Sequence, residues 1–271
     1  MDWEAVEMVC SGEFWRMAVL WTLSLLYSYL LLAPRGVFSS SPFLSCQQSY
    51  SRNFSGTTGT SKPICVITGA TSGLGAAAAR SLCAKGYYVV LAGRSPQLLS
   101  KIIGDIMEQV KDAQLKEFVV DLSSLHSIIK FKSALEQWLL DSRFHPSVQL
   151  LINNAGILAT SCRVTADGYD QMIETNFMGA FALTNLLLPL LKNSSLPSRI
   201  VNVTSFTHRC VSSVQVNKGN LVKNLYHSSA SKRYPFAHTY EYSKFYLLLF
   251  TYELHRKLYM TDSSHKVTIV A

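Results

Sequence analysis

From Pro63 onward, short apolar segments typical of β-strands alternate with longer segments in which apolar residues recur at helical spacing. Helices that connect successive strands in this way place those strands parallel in one sheet. The strand segments are apolar almost throughout, which indicates that helices cover both faces of the sheet. The chain is therefore predicted to form a doubly wound α/β fold over residues 63–271.

This pattern predicts six strands and five helices. The strands are expected at residues 64–68, 88–92, 118–121, 148–153, 199–204 and 266–271. The helices are expected at residues 74–85, 97–111, 125–140, 169–191 and 239–259.

A glycine-rich turn follows the first predicted strand directly and opens the first predicted helix of this region. Glycines let the chain turn sharply, approach a pyrophosphate closely and pack the helix on the strand. The helix N-terminus adds partial positive charge that favours a phosphate group. The turn therefore predicts a dinucleotide site, with a tight turn that binds nothing as the alternative. Its candidate binding residues are Gly69, Thr71, Ser72, Gly73, Leu74 and Gly75.

The end of the second predicted strand indicates which dinucleotide such a site would take. NAD-selective sites place an Asp or Glu there, about 20 residues after the glycine turn, on the ribose hydroxyls. This chain has Arg94 instead, and residues 91–95 contain no acid. A guanidinium can bind a 2′-phosphate through two hydrogen bonds, and Ser72 could add a hydroxyl. NADP(H) is therefore predicted over NAD(H), with a solvated surface charge as the alternative role of Arg94.

Further short motifs follow in order along this framework. They are Asn153-Asn154-Ala155-Gly156 after the fourth strand, Asn176 in the next long helix, Ser205 after the fifth strand, and Tyr240 and Lys244 in a Y-x-x-x-K pair. Together with the G-x-x-x-G-x-G turn, they make residues 63–271 resemble the short-chain dehydrogenase/reductase family. The resemblance is strongest to its retinol-dehydrogenase-like branch. The stretches VNVTSFTHR and YEYSKFYLLLFTYELHRKL further resemble plant oxidoreductases of the forever-young type.

This resemblance implies a Rossmann fold and assigns further cofactor contacts. It implies that Asn153, Ala155 and Gly156 border the cofactor and that Asp121 and Leu122 contact its adenine ring. Asp121 could equally belong to the N-cap region of the next helix.

The catalytic group implied by the resemblance is Tyr240 with Lys244, Ser205 and Asn176. A Tyr hydroxyl has an ordinary pKa near 10, and a lysine four residues away on the same helix face would favour the tyrosinate. Lys244 could also reach the nicotinamide ribose, so both Tyr240 and Lys244 count as cofactor contacts. Ser205 would donate to the substrate oxygen, and Asn176 would hold a water that relays protons to Lys244.

The N-terminal region has a different composition. After a mostly acidic leader, residues 1–16, the segment 17–33 contains no charge. As a helix it would span about 26 Å, slightly less than a bilayer core. Aromatic residues typical of a membrane interface lie in and beside it, at Trp15, Trp21, Tyr27 and Tyr29. We expect a membrane-anchor helix over 17–33, with a cleaved or organelle-targeting leader and a buried core helix as the alternatives.

Residues 34–62 are rich in Ser, Thr and Gly and are expected to form a linker. Positive charges follow the apolar segment more than they precede it, which predicts a cytosolic catalytic domain. We expect the endoplasmic reticulum membrane, or an organelle as the alternative. The formal net charge of +8 is spread over dispersed residues, so nucleic-acid binding is not expected. The scattered cysteines predict no metal site.

The sequence stops at Ala271, inside the sixth predicted strand, whereas the family pattern continues with a Pro-Gly motif, capping helices and a seventh strand. The sixth strand would then be an exposed edge, so we expect this C-terminally truncated chain to be unstable or inactive. Two functions stay open. One is an NADP(H)-dependent oxidoreductase that interconverts an alcohol and a carbonyl, with a small-molecule, lipophilic substrate. The other is a catalytically silent nucleotide-binding or partner-binding protein.

The long polar segment 206–238 adds a further expectation. A loop of this length is usually functional or mobile. It is expected to form part of a substrate wall or, alternatively, a mobile insertion.

Overall fold

A parallel sheet organises the part of the chain that the structure, a computed structural model, describes: residues 9–38, 62–211, 234–261 and 266–271. Its strands are β1 (Ile64–Thr68), β2 (Tyr88–Gly93), β3 (Gln114–Val119), β4 (Leu150–Asn153), β5 (Ser198–Asn202) and β6 (Val267–Val270). They lie in the order β3-β2-β1-β4-β5-β6, and every pair is parallel. The chain order reverses between β1 and β4, which is where such sheets bind ligands.

Helices cover both faces of this sheet. The helices of the described chain are α1 (Gly12–Phe38), α2 (Gly73–Ala84), α3 (Pro96–Gln109), α4 (Leu125–Asp141), α5 (Gln171–Ile173), α6 (Gly179–Lys192) and α7 (Phe236–Thr261). Of these, α2 and α3 cover one face, and α4, α6 and α7 cover the other. A π-helical turn (Glu174–Met178) joins α5 to α6, and a 3₁₀ turn (Phe206–Cys210) follows β5.

Alternate residues of each central strand enter two different cores. Val66 and Val90 pack on the α4, α6 and α7 side, whereas Ile67 and Leu91 pack on the α2 and α3 side. All four side chains are fully buried. Since both strand faces are apolar, the predicted doubly wound parallel sheet is confirmed.

The third strand differs from its prediction. It was expected at residues 118–121, but β3 runs from Gln114 to Val119. It pairs only with β2 at the edge of the sheet, and most of its residues are partly exposed. An edge strand can carry polar side chains such as Lys116 and Glu117, because solvent reaches them. The apolar residues used for the prediction therefore lie only at the end of β3.

The predicted segment 17–33 lies within α1, which continues beyond it at both ends. Among the residues described, no helix is long and apolar enough to cross a membrane, so the anchor is not confirmed. Most of the predicted linker, 39–61, and residues 212–233 of the polar segment lie outside the described residues.

Candidate active site

A cleft of about 570 Å³ opens at the carboxyl ends of the central strands, around the point where the strand order reverses. It runs from the glycine turn after β1 to the N-terminal part of α7. Most of the residues predicted for a site border it: Gly69, Thr71, Ser72, Gly73, Leu74, Arg94, Leu122, Ala155, Gly156, Ser205, Tyr240 and Lys244. Gly75, Asp121, Asn153 and Asn176 are not among its lining residues.

The glycine turn needs two of its glycines for different reasons. Gly69 has φ of +64°, a conformation that L side chains rarely adopt. Gly75 lies beneath the turn, where an added Cβ would collide with the Gly69 carbonyl oxygen and lie 2.5 Å from Asn154 Nδ2. The absence of a side chain at Gly75 therefore lets α2 start directly behind the turn.

Asn154 fixes the shape of this turn from the neighbouring strand. Its Nδ2 donates to the carbonyl oxygens of Thr68 and Gly69, at 3.0 and 3.1 Å. Its backbone N–H donates to Thr68 Oγ1 at 3.1 Å. Asn154 was not among the predicted site residues, although it borders the cleft.

Asn153 was predicted as a cofactor contact, but its side chain points away from the cleft into the core. Its Nδ2 donates to Thr184 Oγ1 at 2.8 Å and to Asn202 Oδ1 at 2.7 Å. Asn202 in turn donates to Thr251. Asn153 therefore joins β4 to β5 and α6, because alternation along β4 turns it to the buried side.

Arg94 lies at the end of β2, where its exposed side chain borders the cleft. Within the described ranges it has no carboxylate partner. Ser72 borders the same end of the cleft. A free guanidinium near a hydroxyl and a helix N-terminus fits an anionic group such as a phosphate.

The two residues expected at an adenine ring differ in placement. Leu122 borders the cleft. The Asp121 carboxylate instead accepts hydrogen bonds from Ser123, from its N–H at 2.9 Å and its Oγ at 2.7 Å. Asp121 thus stabilises the turn before α4, whose N-cap is Ser124.

Ser205, Tyr240 and Lys244 meet at the other end of the cleft. Ser205 follows β5, and its side chain is hydrogen-bonded to Tyr240. Lys244 Nζ lies 5.8 Å from the centre of the Tyr240 ring. It donates to the Val203 carbonyl oxygen at 2.9 Å, and only 4% of the residue is exposed.

Burial governs the pKa values of both titratable groups. Burial raises the pKa of Tyr240 above its ordinary value, and the hydrogen bond with Ser205 partly opposes this. In the protein without cofactor, the pKa of Tyr240 is therefore raised by burial and not lowered by Lys244 as expected. Burial also lowers the pKa of Lys244 to about 8, which puts its proton within reach of neutral pH.

Asn176 lies behind this group, in the π-helical turn, and is fully buried. Its Oδ1 accepts from the Ile157 N–H at 2.7 Å, and its Nδ2 donates to Ile157 O and Ser243 Oγ. A Cβ added to Gly156 would lie 3.3 Å from Lys244 Nζ and 3.4 Å from Asn176 Oδ1. Asn176 therefore supports the loop after β4 and lies close behind Lys244.

Three relatives resemble the chain in sequence. Human polyprenol dehydrogenase is 32% identical over 74% of this chain and 57% of its own length. Human retinol dehydrogenase 12 is 35% identical over 72% of this chain and 56% of its own length. The Brassica napus short-chain dehydrogenase TIC 32 A, chloroplastic, is 35% identical over 53% of this chain and 44% of its own length. The chain thus spans about half the length of these relatives, which confirm the resemblance to the retinol-dehydrogenase-like branch.

A solved structure also resembles this chain, in both fold and sequence. An uncharacterized protein from Mycobacterium Paratuberculosis has 34% sequence identity and a TM-score of 0.59, over 76% of this chain and 66% of that one. Residues 63–218 match the family model described as short chain dehydrogenase. Because this match covers more than half of the chain, the protein belongs to the short-chain dehydrogenase/reductase family.

Proposed function

We propose that the protein is an NADP(H)-dependent oxidoreductase that interconverts an alcohol and a carbonyl by hydride transfer. The observation that carries this proposal is the meeting of Ser205, Tyr240 and Lys244 at one end of a cleft whose other end is the glycine turn. Carbonyl reduction needs a proton donor beside the nucleotide site. When bound, the nicotinamide cofactor supplies the hydride.

Tyr240 is proposed as the acid/base. In the reducing direction its hydroxyl gives a proton to the oxygen of the substrate carbonyl, and in the oxidising direction it takes that proton back. Ser205, already hydrogen-bonded to Tyr240, would donate to the same substrate oxygen and stabilise its developing charge.

Lys244 is proposed to support the tyrosinate and to hold the ribose of the cofactor. Its charged form favours the deprotonated Tyr240, and its buried ammonium already lies beside that ring. Asn176 is proposed to hold a water that relays protons to Lys244. Its position behind Gly156, close to Lys244 Nζ, supports this role.

Arg94 supports the choice of NADP(H). It is exposed at the end of β2 and borders the cleft, and a guanidinium binds a phosphate through a fixed pair of donors. The proposed pyrophosphate site is the turn from Gly69 to Leu74, with Gly75 allowing its close packing. Ala155 and Gly156 would border the nicotinamide, with Asn153 and Asn154 as supporting residues. Leu122 would border the adenine, with Asp121 fixing the turn behind it.

A lipophilic alcohol or carbonyl is the proposed substrate class. Relatives of this chain are named polyprenol dehydrogenase and retinol dehydrogenase 12. The outer face of α1 exposes large apolar side chains, including Leu23, Leu26 and Leu30, which would associate with a membrane surface. We therefore propose that residues 17–33 are a membrane-associated element within α1, and that the rest of the predicted linker, 39–62, joins this helix to a catalytic domain over 63–271. The proposed location is the endoplasmic reticulum membrane, with an organelle as the alternative.

The test is a pair of measurements on the purified 271-residue chain. NADPH binding is followed by its fluorescence, and NADPH consumption is then followed with a long-chain aldehyde such as decanal. The proposal predicts saturable binding of NADPH and consumption that depends on the aldehyde, whereas the sequence-based expectation of an inactive truncated chain predicts no consumption. Binding without consumption would support the silent nucleotide-binding alternative, and an absence of binding would overturn both.

A further inference from the structure

The helix α1 has an inner face that packs on the catalytic end of the domain. Phe14, Met17 and Trp21 are spaced three and four residues apart, so they form one stripe on the helix. They share an apolar cluster with Met172, Phe236 and Ala237. Met17 is only 5% exposed. The stripe is therefore a packed interface and not a chance surface contact.

A partly buried ion pair holds α1 against the helix that carries Tyr240. Arg16 Nη2 lies 3.2 and 3.3 Å from the two carboxylate oxygens of Glu241. The Glu241 side chain is only 1% exposed, and Glu241 directly follows Tyr240 in α7. Farther along α1, Arg209 donates to Ser28 Oγ at 2.7 Å. These polar contacts specify how α1 is oriented on the domain.

Trp21 is the residue of α1 that comes closest to the catalytic group. Its ring centre lies 5.9 Å from that of Tyr240. It also lies 5.8 Å from the ring of Phe206, which it meets edge to face. Tyr240 itself borders the cleft, and so does Ile157, which packs against the same apolar cluster. Trp21 is not itself among the residues that line the cleft, but its contact with Tyr240 places it beside the end where the proposed proton transfer takes place.

The indole nitrogen of Trp21 is buried and has no hydrogen-bond partner in the described part of the chain. A buried donor of this kind costs free energy unless something accepts its hydrogen bond. The ring meanwhile offers a large apolar surface. Trp21 thus combines an apolar wall with an unused donor, as residues that orient an amphipathic ligand commonly do.

We propose that α1 forms one wall of the substrate site and that Trp21 is a specificity-determining residue. This inference rests on the proposed function and adds to it that the substrate is selected by its apolar chain. That chain packs against Trp21, while Tyr240 and Ser205 bind the reacting oxygen. The N-terminal helix is then part of the substrate site as well as a membrane-associated element.

Kinetics on Trp21→Ala test the inference, with Trp15→Ala as the matched control. Trp15 lies in the same helix and is 59% exposed, outside the inner stripe. Trp21→Ala is expected to raise KM for decanal about tenfold or more, while KM for propanal and the Kd for NADPH change less than about twofold. Trp15→Ala should behave like the unchanged protein. Equal effects of the two variants, or a fall in KM with Trp21→Ala, would overturn the inference.

A second measurement does not depend on turnover. Decanal is titrated into Tyr240→Phe protein loaded with NADP⁺, and tryptophan fluorescence is recorded. Saturable quenching is expected to persist when Trp15 is also changed to Phe and to disappear when Trp21 is changed to Phe. If the unchanged protein shows no turnover but this Trp21-dependent quenching remains, the proposed oxidoreductase function is wrong and the proposal that α1 forms a wall of the site is supported. Quenching that does not depend on Trp21 would overturn the proposal that α1 forms this wall.

Discussion

Lys244 shows how burial alone can prepare a residue for catalysis. It is almost completely enclosed, and its Nζ donates a hydrogen bond to the neutral carbonyl oxygen of Val203. Burial lowers its pKa to about 8. The protein therefore holds an ammonium that an anionic cofactor would stabilise.

The titration of Lys244 gives a pH dependence with a defined sign. Below pH 8 the lysine is charged in both the folded and unfolded protein, and folding bears the full cost of burying the charge. The unfolded lysine keeps its proton up to its ordinary pKa of 10.5, so that cost falls as pH rises from 8 to about 10. The difference between 10.5 and about 8 corresponds to roughly 3 kcal/mol.

Denaturant unfolding of the cofactor-free protein checks this. Lys244→Met should be more stable than the unchanged protein at pH 7, and the advantage should shrink as pH approaches 10. An advantage that stays constant across this range would contradict the assigned cause.

Arg94 is the residue on which the proposed choice of NADP(H) over NAD(H) depends. Hydrogen bonds to charged groups contribute about 1.5–3 kcal/mol, so Arg94→Ala should weaken NADPH binding about tenfold to a hundredfold. Its effect on NADH affinity should be less than about twofold. Lys101→Ala removes the same charge from an exposed position on α3, outside the cleft, and should leave both affinities unchanged. Fluorescence titration measures both, and an equal loss for NADPH and NADH would contradict the assignment.

The pair Asn153 and Asn154 shows the limit of sequence reasoning at single residues. The motif predicted that this segment would reach the site, but it did not say which side chain faces the cleft. That depends on the strand face, and β4 turns Asn153 inward. Likewise, Tyr240 and Lys244 lie one turn apart on α7 as their spacing predicted. Burial nevertheless raises the pKa of Tyr240, whereas a lowered pKa was expected.

The glycine turn makes the sharpest prediction among the elements. Gly75→Ala should disrupt NADPH binding and lower stability, because the added methyl group has no room against backbone atoms of the turn. Gly104→Ala on α3 is the matched control. A Cβ there meets nothing within 4 Å, so it should stabilise the helix by about 0.5–1 kcal/mol. Thermal unfolding and NADPH titration of both variants measure this, and normal NADPH binding by Gly75→Ala would contradict the packing argument.

Among the elements, the buried ones were predictable and the partly exposed ones were less so. β1 has the predicted bounds because every one of its residues is buried and all except Thr68 are apolar. β3 was displaced because an edge strand carries polar residues. The packing of α1 on the domain could not be predicted, because its apolar residues lie on all sides of the helix. Only the structure shows that the side with Met17 and Trp21 contacts the domain.

At the scale of the whole molecule, α1 connects two functions proposed for the protein. Its inner face packs beside Tyr240 at the catalytic end of the cleft, and its outer face exposes apolar side chains. A lipophilic substrate leaving a membrane surface would thus meet the wall of the site directly.

The proposed membrane association depends on the outer face. Changing Leu23, Leu26 and Leu30 together to Glu should lower co-sedimentation with phosphatidylcholine vesicles by about tenfold or more. Each change replaces an exposed apolar side chain, which would be buried in the membrane surface, with a charge. Leu140→Glu, on exposed α4 surface, should leave it unchanged. NADPH affinity reports whether the fold survives, and undiminished co-sedimentation of a folded triple variant would exclude this face.

The most direct test of the account is the Tyr240→Phe variant, which removes a single oxygen atom. The account predicts that aldehyde-dependent NADPH consumption falls by about a hundredfold or more, while the Kd for NADPH changes less than about twofold. Consumption at the level of the unchanged protein, with NADPH bound normally, would contradict the central claim that Tyr240 transfers the proton.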